Sequence, residues 1–274
     1  MEAQNKMNTF FTMERFRSYF FWFIFGLYAP CVFSQTPDDF IRLGDCAYAQ
    51  CLNDSAKVQY ERAYKLAPDS FEVLKRMATV YNDEGKVLLH SSDSAEVKYR
   101  MAIPFARELA ARYPDRAESH FCLALCLGSL IPFQSVRQKI SNSKEVLYHL
   151  NETLRLDSSM VLAYVLLGVF WREAASLSWL EKAFVRIVYG ESIDKTVQDS
   201  ENILLRAKEM NPRCPYVYYE LYWTYKSMGK KNWPCKIYRP FSHFHRSTFA
   251  KKYSSKRRAK NGRLLLQKIN TFFC

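Results

Sequence analysis

The chain has 274 residues, of which 49% are hydrophobic and 24% charged, with 8 glycines and 10 prolines, and this composition excludes collagen-like, low-complexity and globally disordered chains. The net charge of +13 would suggest nucleic-acid binding, but residues 1–229 contain 27 basic and 27 acidic side chains, whereas residues 230–274 contain 13 basic and no acidic ones. Specific nucleic-acid binding is therefore not expected of the body of the chain.

The N-terminal segment contains an apolar run at residues 20–33, FFWFIFGLYAPCVF. The run is shorter than the roughly 20 residues that a bilayer span requires, and two arginines precede it. This pattern is typical of a signal peptide over residues 1–34, with Met13 as an alternative start. We therefore expect a secreted or periplasmic (envelope) protein. The alternative is an uncleaved anchor helix, which would leave the chain anchored in a membrane and facing the cytoplasm.

Residues 35–229 repeat with a period of about 34 residues, which predicts a tetratricopeptide array, in which each unit is a hairpin of a helix A and a helix B. Small residues at Gly44 and Ala56 allow the two helices of the first hairpin to approach closely. Tyr60 is expected to fill the gap to the next hairpin, and Pro68 to end helix B. The repeat positions of this first unit are Phe40, Leu43, Gly44, Ala56, Tyr60, Ala63 and Pro68.

Later units follow the same pattern with two interruptions. About 12 residues are inserted in the second unit and about 20 in the fourth, and helix B of the third unit is predicted at Lys144 to Leu156. A fifth helix A lacks a partner, because Pro234 and Pro240 would break the helix that should follow it. The fold class is therefore all-α, a tetratricopeptide-repeat solenoid of about four and a half helical hairpins with a right-handed curvature.

Residues 230–274 form a separate basic segment, because the charge balance and the helical periodicity both change after Gly229. We interpret this segment as disordered or as the product of a frameshift. The alternative is a genuine polybasic tail that binds an anionic surface.

The region from Ala117 to Pro212 carries features beyond a generic repeat. The run LSWLEK at residues 177–182 lies in an insertion and has no role in the repeat, and DKTVQDSENILLRAKEMNP follows it. The further residues that carry the likeness are Arg137, Ile140, Leu156, Leu167, Gly168 and Trp171. On these residues the chain resembles the regulator of microtubule dynamics family. The resemblance implies a tetratricopeptide-like scaffold that is associated, in animal members, with microtubules, mitochondria or the endoplasmic reticulum.

No HExxH, P-loop, GxSxG or CxxC motif is present, so the sequence predicts a protein that is not an enzyme and needs no cofactor. Cys122 and Cys126 share one helix face and could hold a metal or form a disulfide, but packing in a tight hairpin is the favoured interpretation. Cys46 and Cys51 could form a bridge in an oxidising compartment. A metal site is not expected.

His243 and His245 lie near Cys235 in the basic segment, but they lack a fourth ligand at a zinc-like spacing. Asp38 and Asp39 resemble a carboxylate pair, although acidic residues at a helix N-terminus are typical of capping. Neither group predicts a catalytic or metal centre.

The concave groove is the remaining functional surface, since helix A residues line the inner wall of such solenoids. Its first half is predicted to be polar and its second half apolar and aromatic. We expect it to bind a protein or peptide partner, with a carrier of an apolar ligand such as a lipid as an alternative. The predicted binding residues are Asp38, Tyr48, Lys75, Asn82, Phe121, Arg172, Tyr219 and Trp223.

Overall fold

The computed structural model describes residues 35–88, 92–177 and 194–230, together with Lys182 and Arg186. The described residues form nine α-helices, one short 3-10 helix and no strand. They are α1 (Pro37–Ala49), α2 (Asn53–Leu66), α3 (Phe71–Val87), α4 (Ser92–Arg112), α5 (Ala117–Leu130), the 3-10 helix Ile131–Phe133, α6 (Val136–Leu156), α7 (Val161–Ala175), α8 (Val197–Met210) and α9 (Pro215–Ser227). The predicted signal peptide and basic segment lie outside the described residues, except for Lys230.

The helices pair in chain order into four antiparallel hairpins, with α1, α3, α5 and α7 as helix A and α2, α4, α6 and α8 as helix B. Helix α9 is the helix A of a fifth unit. The predicted all-α tetratricopeptide solenoid is therefore confirmed. No helix in the part of the chain that the structure describes is long and apolar enough to cross a membrane.

Each hairpin is joined to the next by the same four-residue turn. In every turn the N–H of the fourth residue donates to the carbonyl of the first, over 3.1–3.3 Å. The four turns are Ala67–Ser70, Tyr113–Arg116, Asp157–Met160 and Asn211–Cys214. Because these turns carry proline or Asp/Asn at matching positions, the repeat is encoded locally in the sequence.

The eighth position of helix A sets how closely the two helices of a hairpin approach. A Cβ added to Gly44 would lie 2.3 Å from the Tyr60 ring, and one added to Gly168 would lie 2.7 Å from Cγ of Leu204. Tyr60 therefore packs within its own hairpin, against Gly44, and its hydroxyl also interacts with Arg76 of the next hairpin.

The lengths of two helices, the start of a third and the exposure of one side chain differ from what the repeat pattern predicts. The inserted residues of the second unit lengthen its helices, so that α3 has 17 residues and α4 has 21. Helix α6 begins at Val136 instead of Lys144, because Ser135 and Gln138 form a capping box. Leu43 is 49% exposed instead of packed, since no earlier hairpin precedes α1 among the described residues.

Contacts between units show which side of the array is the inner one. Helix α3 packs on α5, and α7 packs on α9, so helix A touches the helix A of a neighbouring unit. Successive B helices in the described residues make no comparable contact. The array therefore curves with its A helices on the concave side, which is the usual geometry of such repeats.

Candidate functional site

The concave face of the first two units is ionic. Arg76 of α3 donates from Nε and Nη2 to the two carboxylate oxygens of Asp45 in α1, over 2.7 and 2.6 Å, and it also pairs with Glu72. Tyr60 donates to Asp45 over 2.8 Å. Burial raises the pKa of Asp45, but the bonds from Arg76 and Tyr60 outweigh it, and the net pKa is lowered. Asp45 is therefore held ionised between two units.

A second ionic cluster occupies the C-terminal end of α3, where six consecutive residues, 80–85, are buried. Tyr48 of α1 donates its hydroxyl to Asp83, and Lys86 donates to Asp83 over 2.7 Å. Glu84 forms ion pairs with Lys57 of α2 and, at 2.8 Å, with Lys98 of α4. Three of the first four helices thus place a charged or polar group against the end of α3.

Asn82 lies beside these carboxylates and has no exposed surface. Its amide nitrogen and oxygen have no hydrogen-bond partner among the described residues. The sequence placed Asn82 on the groove wall as a polar contact. The structure places it one layer below the surface, so a partner can reach its amide only if α3 and its neighbours separate.

The other two predicted residues of the first half are accessible. Asp38 is exposed in the first turn of α1. Lys75 is half-buried, with its ammonium 3.3 Å from Glu72 and 4.9 Å from the centre of the Phe71 ring. The sequence did not identify Asp83 and Glu84 as site residues, because a run of charged residues normally indicates a solvated helix face. The lysines that pair with them lie on other helices, and no sequence spacing links those lysines to Asp83 and Glu84.

The third unit changes the character of the groove. Phe121 is half-buried and packs on the main core, while Cys122 and Cys126 are buried on the same helix. The hydrogen bond with Cys122 and burial raise the pKa of the Cys126 thiol. A neutral buried thiol is a poor nucleophile and a poor metal ligand. Cys46 and Cys51 do not form with each other the bridge that the sequence allowed.

The concave face of the last two units contains one buried ion pair. Arg172 of α7 donates from Nη1 to Oε2 of Glu220 in α9 over 2.7 Å, and the two side chains are 11% and 6% exposed. Burial raises the pKa of Glu220, and Arg172 opposes that rise. Arg172 was predicted to contact a partner, but in the structure it fastens α9 to the fourth unit.

Aromatic residues line the same region. Tyr219 is buried, and its ring centre lies 6.2 Å from that of Trp223 in an edge-on arrangement. Lys226 lies 4.5 Å from the centre of the Trp223 ring. The indole Nε1–H of Trp223 is buried and has no acceptor within the described part of the chain. The sequence thus placed Tyr219 and Trp223 on one surface, and the structure brings them together.

The described side chains offer no group of three or more His, Cys, Asp or Glu residues that could hold a metal ion. The arrangement suits recognition of another protein: charged groups in the first half and an aromatic pair in the second.

The fold defines a class of protein, the tetratricopeptide-repeat proteins. A solved structure with this fold is a thermophilic TPR protein of Thermus thermophilus, which is 19% identical, has a TM-score of 0.50, and aligns over 71% of this chain and 84% of its own.

Within that class, the model of the family described as regulator of microtubule dynamics protein 1-3 matches residues 44–267, and the chain belongs to this family. Regulator of microtubule dynamics protein 3 of Rattus norvegicus is 26% identical over 165 residues, which are 59% of this chain and 34% of the relative. Regulator of microtubule dynamics protein 1 of Bos taurus is 19% identical over 54% of this chain and 47% of its own length. The match thus spans about a third to a half of these relatives.

Family membership corrects the expected location. The apolar run before residue 34 suggested a secreted or periplasmic protein, and this expectation is wrong. The relatives are named for the regulation of microtubule dynamics, and microtubules are polymers of the cytoplasm that occur in neither of those compartments. An apolar run of signal-peptide length is a local pattern, and it was a poor guide to where the domain works.

Proposed function

We propose that this chain is a non-catalytic scaffold that holds a protein partner in the concave groove formed by its A helices, and that the partner belongs to the microtubule. The observation that carries the proposal is the continuous inner face, which five A helices line and which changes from ionic side chains in the first two units to an aromatic pair in the last.

The division of the groove suggests how a partner would bind. Lys75 and Asp38 are accessible and would make polar contacts, which determine orientation more than affinity. Trp223 would be the main apolar anchor, because buried aromatic contacts dominate binding energy in protein interfaces. Tyr48, Asn82 and Arg172 would act indirectly, by holding α3 and α9 in place.

Photocrosslinking tests this assignment with two positions of similar exposure and opposite location. Leu162 is 41% exposed at the second position of α7, in register with Asp38 on the inner face, whereas Tyr148 is 58% exposed on the outer helix α6. We would place p-benzoylphenylalanine at 162 or at 148 in the full chain and irradiate it with microtubules assembled from purified tubulin.

We expect crosslinks to tubulin from position 162 and background from position 148. Stronger crosslinking from position 148 would place the interface on the outer face and overturn the groove assignment. Background from both positions, with the helical fold intact by circular dichroism, would overturn binding of the microtubule by the repeat array and leave only the basic segment described next.

A second mode of binding is favoured by the charge of residues 230–274, which contain 13 basic and no acidic residues, and into which the family match extends. Such a segment would bind an acidic polymer surface through counterion release, so affinity should fall steeply with salt. Cosedimentation with microtubules would compare the full chain with a Lys256→Glu, Arg257→Glu, Arg258→Glu variant.

The matched control reverses three exposed basic residues of the body, Lys65, Arg137 and Arg213. We expect the reversal in residues 256–258 to weaken cosedimentation by about tenfold or more and to flatten its salt dependence, and the control to change it little. Equal losses in the two variants would show that only net charge matters and would exclude a dedicated role of the basic segment.

A further inference from the structure

The fourth residue of helix A makes an equivalent hydrogen bond in three units. Tyr164 donates its hydroxyl to the carbonyl of Ser158 over 3.1 Å, and Tyr218 donates to the carbonyl of Pro212 over 2.6 Å. Each acceptor is the second residue of the preceding turn. In the third unit His120 occupies this position, and its Nε2 lies 2.8 Å from the carbonyl of Pro114. The third unit thus has a histidine where the fourth and fifth units have a tyrosine.

His120 has a second imidazole as its partner. Its Nδ1 lies 2.8 Å from Nδ1 of His149 in α6. The equivalent residue in the fourth unit is Ile203, which packs against the cluster that contains Tyr164. The pair therefore joins three elements, namely the turn after α4, helix α5 and helix α6.

The contacts fix the proton positions of the neutral pair. A carbonyl only accepts, so His120 must carry its proton on Nε2 and donate to Pro114. Its Nδ1 is then an acceptor, and His149 must donate from Nδ1. One added proton leaves this bond possible, because one Nδ1 still lacks a proton. A second added proton removes the acceptor and brings two N–H groups into opposition.

The surroundings of the two imidazoles disfavour their protonation only in part. His120 is 7% exposed and His149 is half-buried. Glu145 lies one turn before His149 and is paired with Arg107 of α4, and Glu152, three residues beyond His149, is paired with Arg155. The charged groups that act on His149 are Arg107 of α4 and Glu145 and Glu152 of α6.

We propose that the His120–His149 pair is a pH-sensitive clasp, which fastens α6 to α5 within the third hairpin when the imidazoles are neutral and releases α6 when both are protonated. In the fourth unit Tyr164 and Ile203 occupy the equivalent positions, so no pair of imidazoles joins its two helices. Acidification thus acts on one hairpin of the array.

The direction of the pH effect follows from His149. Burial, together with the neighbouring His120 and Arg107, lowers its pKa, and Glu145 and Glu152 offset only part of this effect. The unfolded chain, with an ordinary histidine pKa of about 6.5, then binds more protons than the folded chain. Stability is therefore complete above about pH 6.5 and decreases as the pH falls below that value.

Long-range ¹H–¹⁵N spectra of the full chain test the clasp directly. We expect His120 as the Nε2–H tautomer and His149 as the Nδ1–H tautomer at pH 7.5, with coupled titration of the two rings. Hydrogen exchange of α5 and α6 should accelerate relative to α7 and α8 when the pH falls to 5.5. Two rings that titrate independently near pH 6.5 would overturn the proposal.

A variant that copies the fourth unit separates the clasp from general acid effects. His120→Tyr with His149→Ile reproduces the pair Tyr164 and Ile203. Between pH 7.5 and pH 5.5 we expect the melting temperature of the natural chain to fall by about 2–4 °C more than that of this variant. Equal falls would overturn the proposal. If the variant does not fold, the tautomers and the titration of the natural chain decide the question.

Discussion

The first two units and the last two units build the same hairpin with different chemistry. Between the first two units, charged side chains meet across helices: Arg76 with Asp45, and Glu84 with Lys57 and Lys98. In the last two, Arg172 and Glu220 form a buried ion pair, and Tyr219 and Trp223 form an aromatic pair. The packing of helices into hairpins and the geometry of the turns therefore do not depend on the side chains of the concave face. For this reason one repeat can present several different binding surfaces.

The largest expected effect concerns the buried ion pair between Arg172 and Glu220. Arg172→Met would leave the Glu220 carboxylate buried without its partner, and we expect the unfolding free energy to fall by about 3–5 kcal/mol. Chemical denaturation at pH 7 measures it.

Arg155→Met is the control, because Arg155 is 64% exposed and its pair with Glu152 lies on the surface. It should change stability little. A loss for Arg172→Met no greater than that for Arg155→Met would show that solvent reaches Glu220, and the contrast between the two halves would weaken.

An intermediate effect should come from the glycine that each half places at the eighth position of helix A. Gly44→Ala forces a Cβ against the rigid Tyr60 ring, whereas Gly168→Ala meets the flexible side chain of Leu204. We expect a loss of about 1–3 kcal/mol for Gly44→Ala and a smaller one for Gly168→Ala, measured by thermal and urea unfolding. The reverse order would mean that the first hairpin opens more easily than its packing suggests.

A smaller difference between the two halves should appear in how their stability changes at acidic pH. Bonds from Arg76 lower the pKa of Asp45 and of Glu72 below their ordinary values, 3.8 and 4.5, against the opposing effect of burial. The stabilisation is present above these values and is lost as the pH falls through and below them. Because Asp45 and Glu72 are each 44% exposed, Arg76→Gln should cost only about 0.5–1 kcal/mol at pH 7.

Stability curves between pH 3 and pH 7 test this expectation. The difference between Arg76→Gln and the natural chain should shrink toward pH 3. A constant difference would mean that Arg76 stabilises by packing and not by its charge.

The smallest effect should be a gain. A Cβ at Gly128, inside α5, meets nothing within 4 Å. Gly128→Ala should therefore stabilise the chain by about 0.5–1 kcal/mol, because alanine loses less backbone entropy in a helix. Thermal unfolding measures it, and a loss would reveal a required close approach at this position.

Much of the fold could be predicted from sequence because the repeat is local. A small residue at the eighth position of helix A and a turn with proline or Asp/Asn lie within one unit, so a period of about 34 residues makes them visible. The start of α6 was predicted eight residues too late. The capping box of Ser135 and Gln138 begins the helix at Val136, and the repeat length alone does not require these additional turns. The orientation of Leu43 was missed because the repeat pattern assumes a neighbour on both sides.

The candidate site was less predictable. Its accessible members, Lys75 and Trp223, follow from the register of helix A alone. Asn82 and Arg172 have the same register, yet one is fully buried and the other is 11% exposed and paired with Glu220. Register states which side of a helix a residue occupies, but burial depends on how closely the next unit packs against that side.

By itself, the sequence determined the helical hairpins, their turns and the family, because each depends on residues close together in the chain. Only the tertiary structure decided which polar side chains meet: Arg172 with Glu220 across 48 residues, Lys57 with Glu84 across 27, and His120 with His149 across 29. These pairs depend on the packing of separate helices, and such packing leaves no periodic signal in the sequence.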